Sequence, residues 1–319
     1  MAVYTDVSDE SLIAFLAEYD LGSLVAFRGI AEGVENSNYV LRTTAGDFIL
    51  TLYEKRVDPA DLPWFLGLME HLAQRGILCP RPVHGRDGAA LRQLCGRYAA
   101  ITTFLPGVWP RHVKVEHCAQ VGAVLARLHL AGEDYRPRRD NALGPHAWKP
   151  LFARCSGQAD EIRPGLAAEL AEALDRILAV WPAELPTGQI HADLFPDNVF
   201  FLEGAVSGVI DFYFAATDFY AYDIAICLNA WCFEADSSLN VTKARALLRG
   251  YEEVRKLLPA EQEALPVLAQ GAAMRFLLTR LYDWLYTPAN ALVVRKDPLE
   301  YLRRLRFHLN APDAGAYGL

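Results

Sequence analysis

His191-Ala192-Asp193-Leu194-Phe195-Pro196-Asp197-Asn198, followed by Ile210-Asp211-Phe212, is the stretch that decides how this chain reads. It has the form H-x-D-L-x-x-x-N, then an apolar strand, a turn, a second strand and an acid. Each residue type suits one task. A carboxylate at Asp193 accepts the proton of an attacking hydroxyl. The amide oxygen of Asn198 and the carboxylate of Asp211 are hard oxygen donors, the ligands magnesium prefers. Asn198 stands five residues after Asp193 and Asp211 eighteen after it. Between them Val199 to Leu202 reads as a strand, Glu203-Gly204 as a tight turn, and Val206 to Ile210 as the return strand. A hairpin of that length is expected to bring Asp211 back beside Asn198. His191 is expected to brace the loop by hydrogen bonds rather than take part in chemistry.

The rest of the sequence sets bounds on this reading. The chain has 319 residues, 52% of them hydrophobic and 22% charged, with a formal charge of −8. That length can bury a large core and allows one or two domains. The acidic balance, without a long basic run, argues against a nucleic-acid or anionic-membrane partner. Six cysteines show neither a C-x-x-C pair nor zinc-ligand spacing and read as reduced, buried thiols of a cytoplasmic protein. No cationic and apolar leader opens the sequence, and no uncharged run reaches membrane-spanning length. Walker A, G-x-G-x-x-G, H-E-x-x-H and G-x-S-x-G motifs are absent.

Residues 1–105 read as a small sheet-plus-helix lobe. Ser8 to Tyr19 has helical periodicity. Gly29 to Asn38 is a small polar loop ahead of two strands, Tyr39–Thr44 and Phe48–Glu54. Backbone N–H groups there, with the side chains of Ser37 and Asn38, are candidates to touch phosphates. Asp61 to Arg75 reads as a helix, and a hairpin is expected around Gly85-Arg86-Asp87-Gly88. Thr102, Thr103 and Phe104 lie where an extended segment crosses into a larger, mainly helical lobe, residues 106–319. There His117 to Leu130, Leu166 to Trp181, Lys243 to Leu258, Glu261 to Tyr286 and a last helix from Asp297 carry 3.6-residue apolar periodicity, whereas Arg136 to Pro150 reads as loop. His129 reads as a helix-terminal or core histidine. Asp218 is placed to cap the helix carrying Asp223, and Asp223, among apolar neighbours, needs donors such as the N–H groups of the Asp193 loop. Arg275 and Asp283 could face an acceptor's carboxylate and ammonium, although ion pairs along the helix are the plainer reading.

The motif and its strand–turn–strand continuation resemble the protein-kinase-like phosphotransferases, and in particular the aminoglycoside phosphotransferase and choline kinase-like small-molecule kinases. A fuller pattern narrows the resemblance to the bacterial homoserine kinases of that superfamily. It consists of Gly29 to Tyr39, Phe48 to Glu54, Leu125-Ala126-Arg127-Leu128-His129-Leu130-Ala131-Gly132 and the helix around Arg275. The resemblance implies an α+β, protein-kinase-like two-lobed fold, with a small N-terminal antiparallel-sheet lobe that binds nucleotide and a larger, mainly helical catalytic lobe. It implies ATP as co-substrate with Mg2+, the crossing segment at Thr102 to Phe104 holding adenine through its backbone, and phosphorylation of the L-homoserine hydroxyl on the route to threonine. Thr51 departs from the superfamily, which usually has a Lys or Arg there on the nucleotide phosphates. The expected partner of that cation falls near Phe65, with Glu70 as a poorer match, so both members of a pair are missing together. Two rival readings remain at this point: a kinase of another small hydroxylated metabolite or an aminoglycoside, and a catalytically idle nucleotide-binding scaffold.

Overall fold

A computed structural model describes residues 4–30, 36–54, 57–287 and 295–319. Lys55 and Arg56, and residues 31–35 of the polar loop, lie outside the described residues. The chain divides into two compact units: Met1–Gly107 with Ser207–Tyr213, and Val108–Val206 with Phe214–Leu319. The short segment carrying Asp211 thus belongs with the first unit, although in sequence it is surrounded by the second.

The first unit is built on a five-stranded antiparallel sheet. In chain order its elements are α1 (Asp9–Leu16), β1 (Leu24–Gly29), β2 (Ser37–Thr43), β3 (Gly46–Tyr53), α2 (Leu62–Gln74), β4 (Leu91–Leu94) and β5 (Arg97–Thr103), with strand order β1-β2-β3-β5-β4. Alternation along β2 and β3 separates the two faces. Tyr39, Leu41, Leu50 and Leu52 join Leu12, Phe15 and Leu16 of α1 in one core, and Ala99 and Ile101 extend it. Asn38 and Thr51, directly opposite one another in the β2–β3 register, therefore lie on the other face. The β4–β5 hairpin turns at Cys95-Gly96, both with positive φ (50° and 71°), rather than at Gly85–Gly88. Gly85–Gly88 is a turn that precedes the strands: Gly88 N–H bonds Gly85 O at 2.8 Å.

The second unit is mainly helical: α3 (Val115–Gly132), α4 (Pro145–Ile162), α5 (Leu166–Ala179), α6 (Tyr220–Trp231), α7 (Val241–Glu252), α8 (Pro259–Tyr286) and α9 (Pro298–Asn310). Two short strands, β6 (Thr187–Ile190) and β9 (Ala216–Phe219), pair antiparallel. Between them in sequence, β7 (Val199–Leu202) and β8 (Ala205–Val209) form a hairpin whose turn, Glu203-Gly204, has the expected positive φ at both residues. Helix α4 starts inside the stretch read as loop. Pro145 takes a first-turn position, where no N–H is required, and Pro150 follows one turn later. Helices α3 and α7 approach closely because each presents glycine at the crossing. A Cβ on Gly122 would stand 2.0 Å from Leu247 O, and one on Gly250 2.0 Å from Ala119 O. Helix α6 is buried along nearly its whole length. Among the described residues, no helix is long and apolar enough to cross a membrane.

Candidate active site

The loop after β6 carries Asp193, and the geometry around it is set by buried hydrogen bonds. Ala192 adopts φ 59°, a left-handed backbone that costs an L-residue roughly 1 kcal/mol. Its N–H bonds Asp223 Oδ1 at 2.9 Å, and the His191 N–H bonds Asp223 Oδ2 at 2.7 Å. His191 Nδ1 lies 3.3 Å from the Asp193 N–H and accepts from it. Asp193 itself is half-buried.

Asp223, on the first turn of α6, is fully buried. Burial pushes its carboxyl up, but hydrogen bonding from His129, charge from the two histidines and the His191 N–H outweigh this and hold it below the ordinary range. His129 Nε2 lies 3.2 Å from Asp223 Oδ2, and its Nδ1 lies 2.7 Å from the Tyr251 hydroxyl. Burial keeps the His129 ring below its usual range, against the pull of Asp223. Against the carboxylate Nε2 is the donor, and Nδ1 shares a hydrogen bond with the Tyr251 hydroxyl. So His129 is a core histidine that belongs to the Asp193 scaffold through one intermediate. Its sequence signal, an apolar helix face, gives no hint of this link.

Asn198 sits in a short 3-10 turn, Pro196–Asn198. Its amide nitrogen donates to Asp193 O at 2.8 Å and to Asp193 Oδ2 at 3.3 Å. Both bonds use Nδ2, which leaves the amide oxygen as the atom for a cation. The structure brings Asp193 and Asn198 together in the second unit. Asp211 is in the first unit, directly after β8, in a left-handed conformation (φ 65°) that aspartate tolerates better than most residues. Its charge reaches Tyr213, whose hydroxyl, driven first by burial and also by that charge, is pushed up to about 12. Amide and carboxylate oxygens are each hard donors of the kind Mg2+ takes.

Other candidates point elsewhere. Ser37 is buried; its hydroxyl accepts the N–H groups of Tyr4 and Thr5 at 2.8 and 3.1 Å and donates to Glu54 Oε1 at 2.7 Å. It ties the N-terminal segment to β2, so any phosphate contact falls to neighbouring backbone. Asn38 Oδ1 accepts the Thr51 hydroxyl at 2.8 Å. Thr102 is buried, Thr103 Oγ1 accepts the Arg81 N–H at 3.0 Å, and Phe104 is exposed. Asp218 does not cap α6, which starts after Phe219 without a side-chain cap. Instead its Oδ2 accepts from Asn141 at 2.8 Å. Asp283 is half-buried near the end of α8. Arg275 is 2% exposed, and Nη1 donates to the Ala192 carbonyl. Its guanidinium lies over the Phe276 ring at 4.5 Å and the Phe214 ring at 5.6 Å. Among the described residues no ion pair to it is found, and it is turned inward onto the Asp193 loop.

With this geometry in place, comparison with known proteins fixes the lineage. The sequence pattern of the phosphotransferase enzyme family matches residues 26–257. The chain is 73% identical to homoserine kinase of Granulibacter bethesdensis over 319 residues, covering 100% of both chains. It is 70% identical to homoserine kinase of Acidiphilium cryptum, again with 100% of each chain covered. The chain belongs to the homoserine kinases of the phosphotransferase enzyme family.

Solved structures extend this homoserine kinase relationship to the fold. Amicoumacin kinase hAmiN, in complex with AMP-PNP, Ca2+ and Ami, superposes with a TM-score of 0.73 at 15% identity, covering 96% of this chain and 94% of that one. A microcompartment-associated aminopropanol kinase gives 0.63 at 17% identity, covering 98% and 96%. The family and the kinase-like fold expected from the motif are thus both borne out.

Proposed function

We propose that this chain transfers the γ-phosphoryl group of ATP to the side-chain hydroxyl of L-homoserine, giving O-phospho-L-homoserine and ADP. The observation that carries the proposal is identity of 73% along the whole chain with a homoserine kinase, with the H-x-D-L-x-x-x-N loop intact. In this reading Asp193 orients the acceptor hydroxyl and takes its proton as the new O–P bond forms and the β–γ bridge breaks. Asn198 holds Asp193 through its amide nitrogen and offers its oxygen to Mg2+, for which Asp211 is the second protein ligand. Magnesium, when bound, offsets the negative charge of the phosphates. Backbone near Asn38 and at Thr102 to Phe104 holds the nucleotide. Catalysis in such a site rests mainly on positioning and charge neutralisation, which explains how much buried structure is spent on holding one aspartate.

Purified protein with ATP and Mg2+ should release ADP with L-homoserine, and far more slowly with choline, aminopropanol or an aminoglycoside. Equal or better turnover of one of those alcohols would overturn the assignment of the acceptor. No acceptor-dependent ADP release at all would overturn the assignment as a kinase.

A further inference from the structure

We infer that Arg275 is a positioning residue that locks the strained Ala192 peptide, and through it the aim of Asp193, rather than a contact to the acceptor. This deepens the proposed function and rests on Asp193 acting in the reaction. A guanidinium stays charged at any accessible pH, so an arginine that is 2% exposed is costly unless it does something specific. Here Nη1 donates to Ala192 O, and the rings of Phe276 and Phe214 cover the guanidinium. Ala192 is the one loop residue between His191 and Asn198 with positive φ. Its N–H is held by Asp223 Oδ1 from α6 while its carbonyl is held by Arg275 from α8. Two helices thus grip both ends of the residue that precedes the proposed base. A left-handed alanine relaxes unless its surroundings over-determine it, and Arg275 supplies the half of that grip which Asp223 does not. A contact to bound acceptor would need an open guanidinium edge, which the burial and stacking of Arg275 do not provide.

The test uses Arg275→Met, Arg275→Lys and Arg275→Met with Ala192→Gly, all in the full chain. Hydrogen exchange of the peptide spanning residues 190–194 reads the grip without any substrate, so it stands even if homoserine proves not to be the acceptor. Arg275→Met should speed exchange of the His191 and Ala192 amides by at least about tenfold. With acceptor, kcat should fall on the order of 100-fold, while KM for ATP and acceptor stays within about twofold. Arg275→Lys, which keeps one donor, should retain more of kcat than Arg275→Met. Ala192→Gly should restore part of the kcat lost in Arg275→Met, because glycine adopts φ 59° without strain; loss of α8 packing alone would not respond to it. Unchanged loop exchange in a folded variant would overturn the inference. So would a rise in acceptor KM at constant kcat, or a double variant no better than Arg275→Met. If Arg275→Met does not fold, the same exchange and kinetic criteria apply to Arg275→Lys.

Discussion

The carboxylate of Asp223 holds His191 by its backbone N–H at 2.7 Å, and neither residue is exposed. Three donors, two backbone N–H groups and His129 Nε2, converge on its two oxygens. Asn at this position keeps one oxygen but turns an NH2 toward a donor. Asp223→Asn should therefore cost about 3 kcal/mol, in the range for breaking a buried charged network, and lower kcat as the loop loses its template. Urea denaturation and steady-state kinetics on the same preparation check both. A variant within 0.5 kcal/mol of the parent, as surface changes usually are, would show that the loop is shaped by something else.

Asp193→Asn tests the chemistry directly. The amide is close in shape, so the Asn198 contact and the fold should survive. It cannot accept the hydroxyl proton, and general-base removal costs about 10²–10⁴ in rate. Turnover should fall by that amount while ATP affinity, read by calorimetry or fluorescence, changes little. Near-parent turnover would remove Asp193 from the role of base.

Metal dependence separates the two proposed magnesium ligands. Asn198→Ala removes an amide oxygen and also the two bonds that steady Asp193. It should raise the Mg2+ concentration for half-maximal rate and lower the rate at saturating metal. Asp211→Asn leaves the Asp193 scaffold untouched, so its effect should be dominated by a higher metal requirement. Titrating Mg2+ at fixed ATP distinguishes them. An unchanged metal curve for Asp211→Asn would exclude it as a ligand.

Stability should fall as the solution becomes acidic. His308 is buried, with Nε2 3.1 Å from Asn229 Oδ1 and Nδ1 2.9 Å from the Tyr317 hydroxyl. Burial, aided by Arg304, pushes its ring down to about 3. A histidine whose folded pKa lies below its unfolded value gives stability that is full above the unfolded value near 6.5 and is lost as pH falls. The unfolded chain takes up the proton that the fold refuses. His129, also lowered, acts in the same direction. Asp218, raised chiefly by burial, acts in the opposite one, losing its contribution as pH rises through its folded value. Between pH 6 and 4 the His308 contribution should approach about 1.4 kcal/mol per pH unit. Unfolding free energies at pH 7, 6 and 5 should decline in the parent and decline less steeply in His308→Gln. Parallel slopes would remove His308 from the account.

How much of this was legible in sequence follows from how local each signal is. The Asp193 loop, the Glu203-Gly204 turn and the periodic helices depend on neighbours within a few residues, so pattern alone locates them. Helix α4 was hidden because Pro145, Pro150 and Gly157 dilute its periodicity, while Trp148 anchors it through Nε1 to Leu143 O. Sequence pattern favours a hairpin at Asp87-Gly88, the more familiar turn pair, yet the turn forms where Cys95 adopts positive φ before Gly96. Asp223 could be expected to need donors, but not to take one from His129, because that contact joins positions 94 apart. The bond of Arg275 to Ala192 is equally remote: a helix sequence shows its face but not which loop carbonyl lies opposite, 83 positions away.

At Thr51, where the superfamily resemblance leads one to expect a phosphate-site cation, the first unit holds neutral groups. The Thr51 hydroxyl donates to Asn38 Oδ1 at 2.8 Å. Tyr213 packs edge-on against Phe65 with centroids 5.7 Å apart, and its hydroxyl lies 3.0 Å from that of Tyr53. The place where a cation and its carboxylate partner would meet is thus filled by neutral hydroxyls and aromatic rings. Thr51→Lys would bury an ammonium there, and the nearby carboxylate, Asp211, is the one proposed to hold metal. The variant should lose at least about 2 kcal/mol and need more Mg2+, since its ammonium competes for Asp211. Adding Phe65→Glu restores the pair, so the double variant should be more stable than the sum of the two single changes by about 1 kcal/mol. Denaturant unfolding of all four proteins gives this coupling. If Thr51→Lys is as stable as the parent and binds ATP more tightly, the neutral cluster is not what replaced the cation, and the phosphates have another counter-charge.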